Sequence, residues 1–389
     1  MKNNDKNNSD INLNKKDYII DKIFLKKYRC IERIGKGAFG FIYKAEYNNK
    51  YYALKFEDNQ NSNLLENEAS LMIYLKGPNI PFITTYGISG GYNILVMQLL
   101  GKDLQEIFIE KGPFSIKTAC ILGYQMISIL EHIHNKNVIH RDVKPENFLM
   151  GLEEKSNFLY LLDFGLAKTF NIESTKEEKV GERKLTGTPR YASVNTLRGI
   201  EQSQRDDLES VGYVLIYLLK GQLPWQGIKA KSKIQKIKNI LVNKIETCST
   251  DLCSDLPEEF EKYIDYCKDL EINEIPDYSM LKNLFLEILQ KEKMEFDYIY
   301  DWCEGGNNNN NVKKNYSVKN KSNSLKNKKE YNSANKNINN LITEDRPIAP
   351  QKKDLDEILE ENNAKENEKE ENKEENEKTK EEVCCCFIY

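Results

Sequence analysis

A chain of 389 residues is long enough for one large catalytic unit or two ordinary domains, and it can bury a sizeable core. Its charged fraction of 30% and formal net charge of −4 conceal an uneven distribution, because Asn, Lys and Glu concentrate at the two ends; the net charge identifies no partner. No window holds about 18 consecutive apolar residues and the first residues lack a signal-peptide apolar stretch, so the expectation is a chain neither secreted nor membrane-spanning. Cys30, Cys120, Cys248, Cys253, Cys267 and Cys303 are scattered without metal-ligand spacing, which points to a reducing, cytoplasmic compartment.

Residues 1–27 open polar and Asn-rich and are expected as a disordered or loosely attached lead-in, with order beginning near Tyr28. From there to residue 100 short β-rich runs dominate: YRCIERI, GFIYKAEY, YYALKFE and, after one helical stretch, FITTYGI and NILVMQLL. Helical periodicity takes over from residue 101, and TACILGYQMISILEHIH and DDLESVGYVLIYLLKG place apolar residues at i, i+3, i+4 and i+7. The prediction is an α+β, two-lobed domain over 28–302, with a small β-rich lobe to about 100 and a larger helical lobe after it. Residues 303–382 are low-complexity, basic and then acidic, and 383–389 form a separate Cys-rich end.

Gly35-Lys36-Gly37-Ala38-Phe39-Gly40 lies between two β-rich runs, where glycines let backbone amides close over phosphate oxygens. A dinucleotide-binding loop would have to open a helix; FIYKAEY reads instead as a strand, which favours a phosphate-covering flap. In Tyr52-Ala53-Leu54-Lys55 a lysine sits on an apolar strand, where its charge needs a partner. The next helix, about 64–76, offers Glu66 and Glu68. Glu68 shares a face with Leu71, Met72 and Leu75 and is expected to turn inward to Lys55.

The most specific string is His140-Arg141-Asp142-Val143-Lys144-Pro145-Glu146-Asn147, with Asp163-Phe164-Gly165 beginning sixteen residues after Asn147. Phosphoryl transfer needs a carboxylate to orient the incoming hydroxyl and hard oxygen donors to hold Mg²⁺ on ATP phosphates. Asp142 fits the first role and Asn147 and Asp163 the second, while Lys144 would meet the transferring phosphate. A solvated charged loop would not place three such motifs in this order. His140 is read as a packed structural histidine rather than a general base, and His132 and His134 as ordinary helix-end residues.

These residues, with LTGTPRYASVNT where most protein kinases carry Ala-Pro-Glu, and with EQSQRDDLESVGYVLIYLLKG and LPWQGIKA, make the stretch from about 28 to 302 resemble the casein kinase 1 family of Ser/Thr kinases. The resemblance implies a bilobal fold with ATP and Mg²⁺ in the cleft. It implies that Ile34, Ile42 and Ala53 enclose the adenine, that Met97 guards the back pocket, and that Leu99 and Leu100 offer hinge peptide groups; simple core packing is the competing reading for each. By the same resemblance Gly35, Gly37 and Gly40 cover the phosphates, Arg141 and Asp207 brace the catalytic loop, and activity needs no obligatory phosphorylation at Thr169, Ser174, Thr175 or Thr186; a monomer is expected. Protein substrates with acidic or phosphorylated residues upstream of the target would meet a basic pocket of Arg190, Lys236 and the amide of Gly227. Lys229, Lys231, Lys233 and Lys236 also read as a solvated helix face, and Pro189 departs from the small residue the family favours.

A silent scaffold would require loss of Lys55, Asp142 or Asp163, and all three are present. The Lys/Asn linker lacks the interleaved aromatics of a nucleic-acid binder, Tyr316 and Tyr331 apart. Cys384, Cys385 and Cys386 before Phe387-Ile388-Tyr389 are expected as lipidation sites that tether the chain peripherally to a membrane, against the alternative of a merely hydrophobic end; the Glu-rich run before them opposes contact with anionic lipid.

Overall fold

The computed structural model describes residues 18–36, 40–58, 64–170 and 184–303. Strands Ile23–Phe24 (β1), Tyr28–Lys36 (β2), Gly40–Tyr47 (β3), Lys50–Asp58 (β4), Ile83–Ser89 (β5) and Tyr92–Gln98 (β6) form one sheet in the order β1-β2-β3-β4-β6-β5. Every neighbouring pair is antiparallel. Two-residue turns close two hairpins: Asn48-Asn49 (φ 50° and 58°) joins β3 to β4 and Gly90-Gly91 (φ 63° and 82°) joins β5 to β6. Both turns need the left-handed region that Asn and Gly tolerate.

Alternation along β4 separates two environments. Leu54 and Phe56 enter a small core with Phe24, Tyr28, Tyr43 and Ile94, whereas Ala53 joins the core that continues into the helical lobe. Phe56 meets Phe24, Tyr43 and Tyr92 edge-on at centroid distances of 4.9, 5.4 and 5.7 Å. Lys55, between Leu54 and Phe56, therefore points toward helix Leu64–Tyr74 (α1), whose first turn is tied to β4 where Glu57 accepts from the Leu65 N–H at 3.4 Å.

The described residues 18–27 are already packed, which differs from the expectation of a loose lead-in through residue 27. Ile19 and Phe24 are 3% and 6% exposed, and Asp21 and Cys30 exchange backbone bonds with Cys30 and Lys22 at 2.8 and 2.9 Å. The physical reason is local: YIIDKIFL carries two short apolar runs, Tyr18–Ile20 and Ile23–Leu25, inside a polar average, and composition over the whole lead-in masks them.

The second lobe contains helices Leu104–Lys111 (α2), Ile116–His134 (α3), Val194–Leu197 (α4), Gln204–Lys220 (α5), Lys233–Glu246 (α6), Ser249–Leu252 (α7), Glu258–Asp269 (α8) and Tyr278–Lys291 (α9). Short strands Val138–Ile139 (β7) and Lys168–Thr169 (β10) pair antiparallel, as do Phe148–Met150 (β8) and Leu159–Leu161 (β9). Helix α5 is buried from Gln204 to Leu218, packed by α3 and α8, and ends at Gly221 with φ 80°. Its second half, from Val211 to Leu218, is apolar on every side and belongs in a core. Its acidic first turns, Asp206, Asp207 and Glu209, are thereby carried beneath the segments that follow β7 and precede α4. Among the described residues no helix is long and apolar enough to cross a membrane.

Candidate active site

The residues between β7 and β8 form a loop that closes with a short 3-10 turn, Pro145–Asn147. Asp207, on the first turn of α5, is 2% exposed and anchors this loop. Its Oδ2 accepts from the His140 backbone N–H at 2.7 Å and its Oδ1 from the Arg141 N–H at 2.8 Å. Arg141 adopts φ 67°, a conformation the surroundings must hold, and its Nε donates to the Leu166 carbonyl at 2.6 Å. His140 is fully buried: its Nδ1 accepts from the Asp142 N–H at 3.3 Å, so Nε2 carries the proton toward the Leu162 carbonyl at 3.0 Å. The ring joins the His140–Asn147 string to the segment before Asp163 and stands edge-on to Phe164 at 5.1 Å.

Asp142 is 6% exposed and its carboxylate is held at both oxygens. Oδ1 accepts from Thr188 Oγ1 at 2.8 Å, and Oδ2 pairs with the Lys144 ammonium. Asn147 Nδ2 donates to the Asp142 carbonyl at 2.8 Å, which commits the amide nitrogen and leaves the oxygen as the donor for a hard cation. Gly187, with φ 90°, brings Thr188 in; a Cβ there would stand 2.3 Å from the Arg141 carbonyl oxygen.

Lys55 reaches Glu68 at 2.7 and 2.8 Å and Asp163 Oδ1 at 3.1 Å. Glu66 is exposed and stays outside this triad. Burial alone would draw the Lys55 ammonium down; the Glu68 and Asp163 carboxylates outweigh it and leave the group raised, hence charged. Burial likewise pushes Asp163 up, but Lys55 outweighs it and holds the carboxyl below its ordinary value. Asp163 adopts φ 62°, which aims the carboxylate back at Lys55.

Around this triad Ala53 lies opposite Met97 in the β4–β6 register, both buried, and Ile42 lies opposite Lys55 and Gly35. Ile34 is 43% exposed, so it lines an opening rather than a core. A Cβ on Gly40 would stand 1.6 Å from the Phe56 carbonyl oxygen, so this glycine is required by strand pairing itself. Gly37 lies outside the described residues. Leu99 and Leu100 follow the end of β6 and are half-buried, with their peptide groups beyond the sheet pairing.

A family model described as protein kinase domain matches residues 28–293. The chain belongs to the protein kinase family. A protein kinase uses ATP with Mg²⁺, and the donors fit that use: Asp163 and Asn147 supply two hard oxygens, the pattern of a cation shared with phosphates. Among the described residues no cluster of three or more His, Cys, Asp or Glu forms a cage that would hold a metal by protein ligands alone.

The Arg190 guanidinium lies 5.7 and 5.8 Å from the ring centroids of Tyr191 and Tyr217. Gly227 has φ 71° and open space where a Cβ would stand; Lys236 is exposed on α6. No hydrogen bond joins Arg190, Gly227 and Lys236 among the described residues. Their segments are joined instead through Trp225 Nε1, which donates to the Arg190 carbonyl at 2.7 Å. Cys384, Cys385 and Cys386, with Ser174 and Thr175, lie outside the described residues.

Three participants escaped the sequence reading. His134 is no ordinary helix end: its ring is 1% exposed, with Nε2 2.9 Å from Asp207 Oδ2 and Nδ1 2.8 Å from the Tyr278 hydroxyl. Thr188 was visible only as part of a family string. Trp225 gave no sign beyond LPWQGIKA, since its contact is with a backbone carbonyl 35 residues away.

Proposed function

We propose that this protein kinase is an active Ser/Thr kinase of the casein kinase 1 type, which transfers the γ-phosphate of Mg-ATP to Ser or Thr residues preceded by acidic or phosphorylated residues. The observation that carries the reading is the Asp142 carboxylate, buried and held between Lys144 and Thr188. Asp142 orients the substrate hydroxyl and accepts its proton as the oxygen attacks the γ-phosphorus. The Thr188 hydroxyl on Oδ1 marks that carboxylate as reachable by an alcohol. Lys144 lies beside the transferring group and offsets its charge; a lysine at this position supports Ser/Thr rather than Tyr transfer. Lys55, fixed by Glu68, grips the α- and β-phosphates, and ADP leaves as the bond to the β–γ bridging oxygen breaks. Mg²⁺ at Asp163 and Asn147 would neutralise phosphate charge. Ala53, Met97, Ile42 and Ile34 would enclose the adenine, and Leu99 and Leu100 would offer it peptide groups.

The string from Leu185 to Thr196, the half-buried Arg190, the open space at Gly227 and the exposed Lys236 support the anion preference. The test is transfer to two matched peptides, one with phosphoserine three residues before the target Ser and one unmodified. The reading expects wild type to favour the primed peptide and Arg190→Gln to lose that preference. Equal use of both peptides by wild type would sink the anion preference, and transfer to Tyr alone would sink the Ser/Thr assignment.

A further inference from the structure

The segment that follows Thr188 is gripped from beneath at alternate residues. Trp225 Nε1 donates to the Arg190 carbonyl at 2.7 Å, Lys244 Nζ donates to the Ala192 carbonyl, and the Val194 N–H donates to Glu209 at 2.9 Å. Glu209 also accepts from the Tyr213 hydroxyl at 2.7 Å. Lys244 is 1% exposed and its ammonium lies 4.2 Å from the Tyr213 ring centroid and 4.7 Å from that of Trp225. Among the described residues no carboxylate lies within ion-pair distance of it. Burial draws its ammonium down to about 7, yet charged or neutral it retains an N–H for the carbonyl.

A buried lysine held by a carbonyl and two ring faces is a costly way to fill a core. Its place on α6 suggests what it does. Ile240 and Lys244 are the buried residues of that helix, with Ile237 and Leu241 half-buried against the core beside them, so Lys244 is a polar anchor among few core contacts. Lys236 stands eight residues earlier on the same helix, roughly 12 Å along its axis. One rigid element therefore carries an exposed lysine near its start and a buried one in contact with the segment that bears Arg190.

We propose that Lys244 and Trp225 are positioning residues that fix the spacing between Arg190 and Lys236, and with it selectivity for anionic substrates. The inference rests on the anion-pocket reading above. Lys244 pins helix α6 to the Ala192 carbonyl, Trp225 pins the Gly227 loop to the Arg190 carbonyl, and the shared aromatic face makes the two pins one unit. Selectivity follows because a phosphate needs both cations at a set separation, whereas a neutral peptide needs neither.

The experiment compares kcat/KM for the primed and unmodified peptides in wild type, Lys244→Met and Trp225→Phe, with KM for ATP and the melting midpoint as controls. Met keeps the unbranched stem and removes the donor, and Phe keeps a ring and removes the indole N–H. The proposal expects the primed-to-unmodified ratio to fall about tenfold in each variant, as for loss of a well-placed charged hydrogen bond. It expects KM for ATP to hold and the melting midpoint to stay within about 4 °C of wild type. A merely structural role would lower activity on both peptides alike, together with the midpoint, and that result overturns the proposal. If Lys244→Met fails to fold, Trp225→Phe decides, and an unchanged ratio there overturns it. Wild type with no preference for the primed peptide removes the anion pocket itself; wild type with the preference, unchanged in both variants, removes only the positioning role.

Discussion

The Asp207 carboxylate accepts from two backbone N–H groups and the His134 ring while almost fully buried, so a charge that is expensive to bury is satisfied at both oxygens. Burial raises its carboxyl, and the His134 bond and ring outweigh it, leaving the group below its ordinary value. His134→Phe keeps an aromatic ring but removes the Nε2 donor and orphans the Tyr278 hydroxyl. The expected result is a folded protein about 1–3 kcal/mol less stable in urea, with kcat reduced more than KM for ATP because the loop bearing Asp142 loses its brace. A variant with wild-type kcat would remove His134 from that role. The strings holding Asp142, Asn147 and Asp163 were legible because their spacing is local chemistry written in order. His134 was not, because its partner lies 73 residues away and only packing brings them together.

At the scale of elements, helical period was enough to favour Glu68 over Glu66, since an inward face on α1 is a matter of i, i+3 and i+4 spacing. Lys244 was illegible for the converse reason. It reads as one more lysine in a Lys-rich helix, and only the convergence of α5, the Trp225 loop and α6 makes it a core residue. Its pH behaviour gives a test. Burial sets its folded value near 7 against 10.5 unfolded, with Glu209 opposing and Lys268 reinforcing the shift. Between those values the unfolded chain binds more protons, so this lysine's contribution to stability rises with pH, is complete above 10.5, and is lost as pH falls through about 7. Wild type should gain urea resistance relative to Lys244→Met from pH 6.5 to pH 9. Parallel midpoints across that range would contradict a buried, shifted lysine.

For the whole molecule, the two-lobed α+β architecture was legible from the switch between short β-rich runs and long amphipathic periods near residue 100. The start of the packed domain was not, because a compositional average over residues 1–27 hides Ile19 and Phe24. Truncation to Tyr28 tests the difference. Removing two buried side chains worth about 1.5–3 kcal/mol each uncovers Tyr28 and Phe56, so the melting midpoint should fall by roughly 6 °C or more. An unchanged midpoint would return the domain boundary to residue 28.

Whether the geometry around Asp142 performs phosphoryl transfer decides what this kinase domain does. The most direct measurement is transfer of labelled γ-phosphate from Mg-ATP to a Ser-containing peptide by wild type, Asp142→Asn and Asp163→Asn, with nucleotide binding followed separately. The account predicts transfer by wild type and retained ATP binding by Asp142→Asn, with kcat down about a hundredfold or more as expected for loss of an acid–base group. It predicts comparable loss in Asp163→Asn with weakened Mg²⁺ dependence. Folded wild-type protein that binds Mg-ATP and transfers nothing to Ser, Thr or Tyr would contradict it and leave a kinase fold that serves as a scaffold.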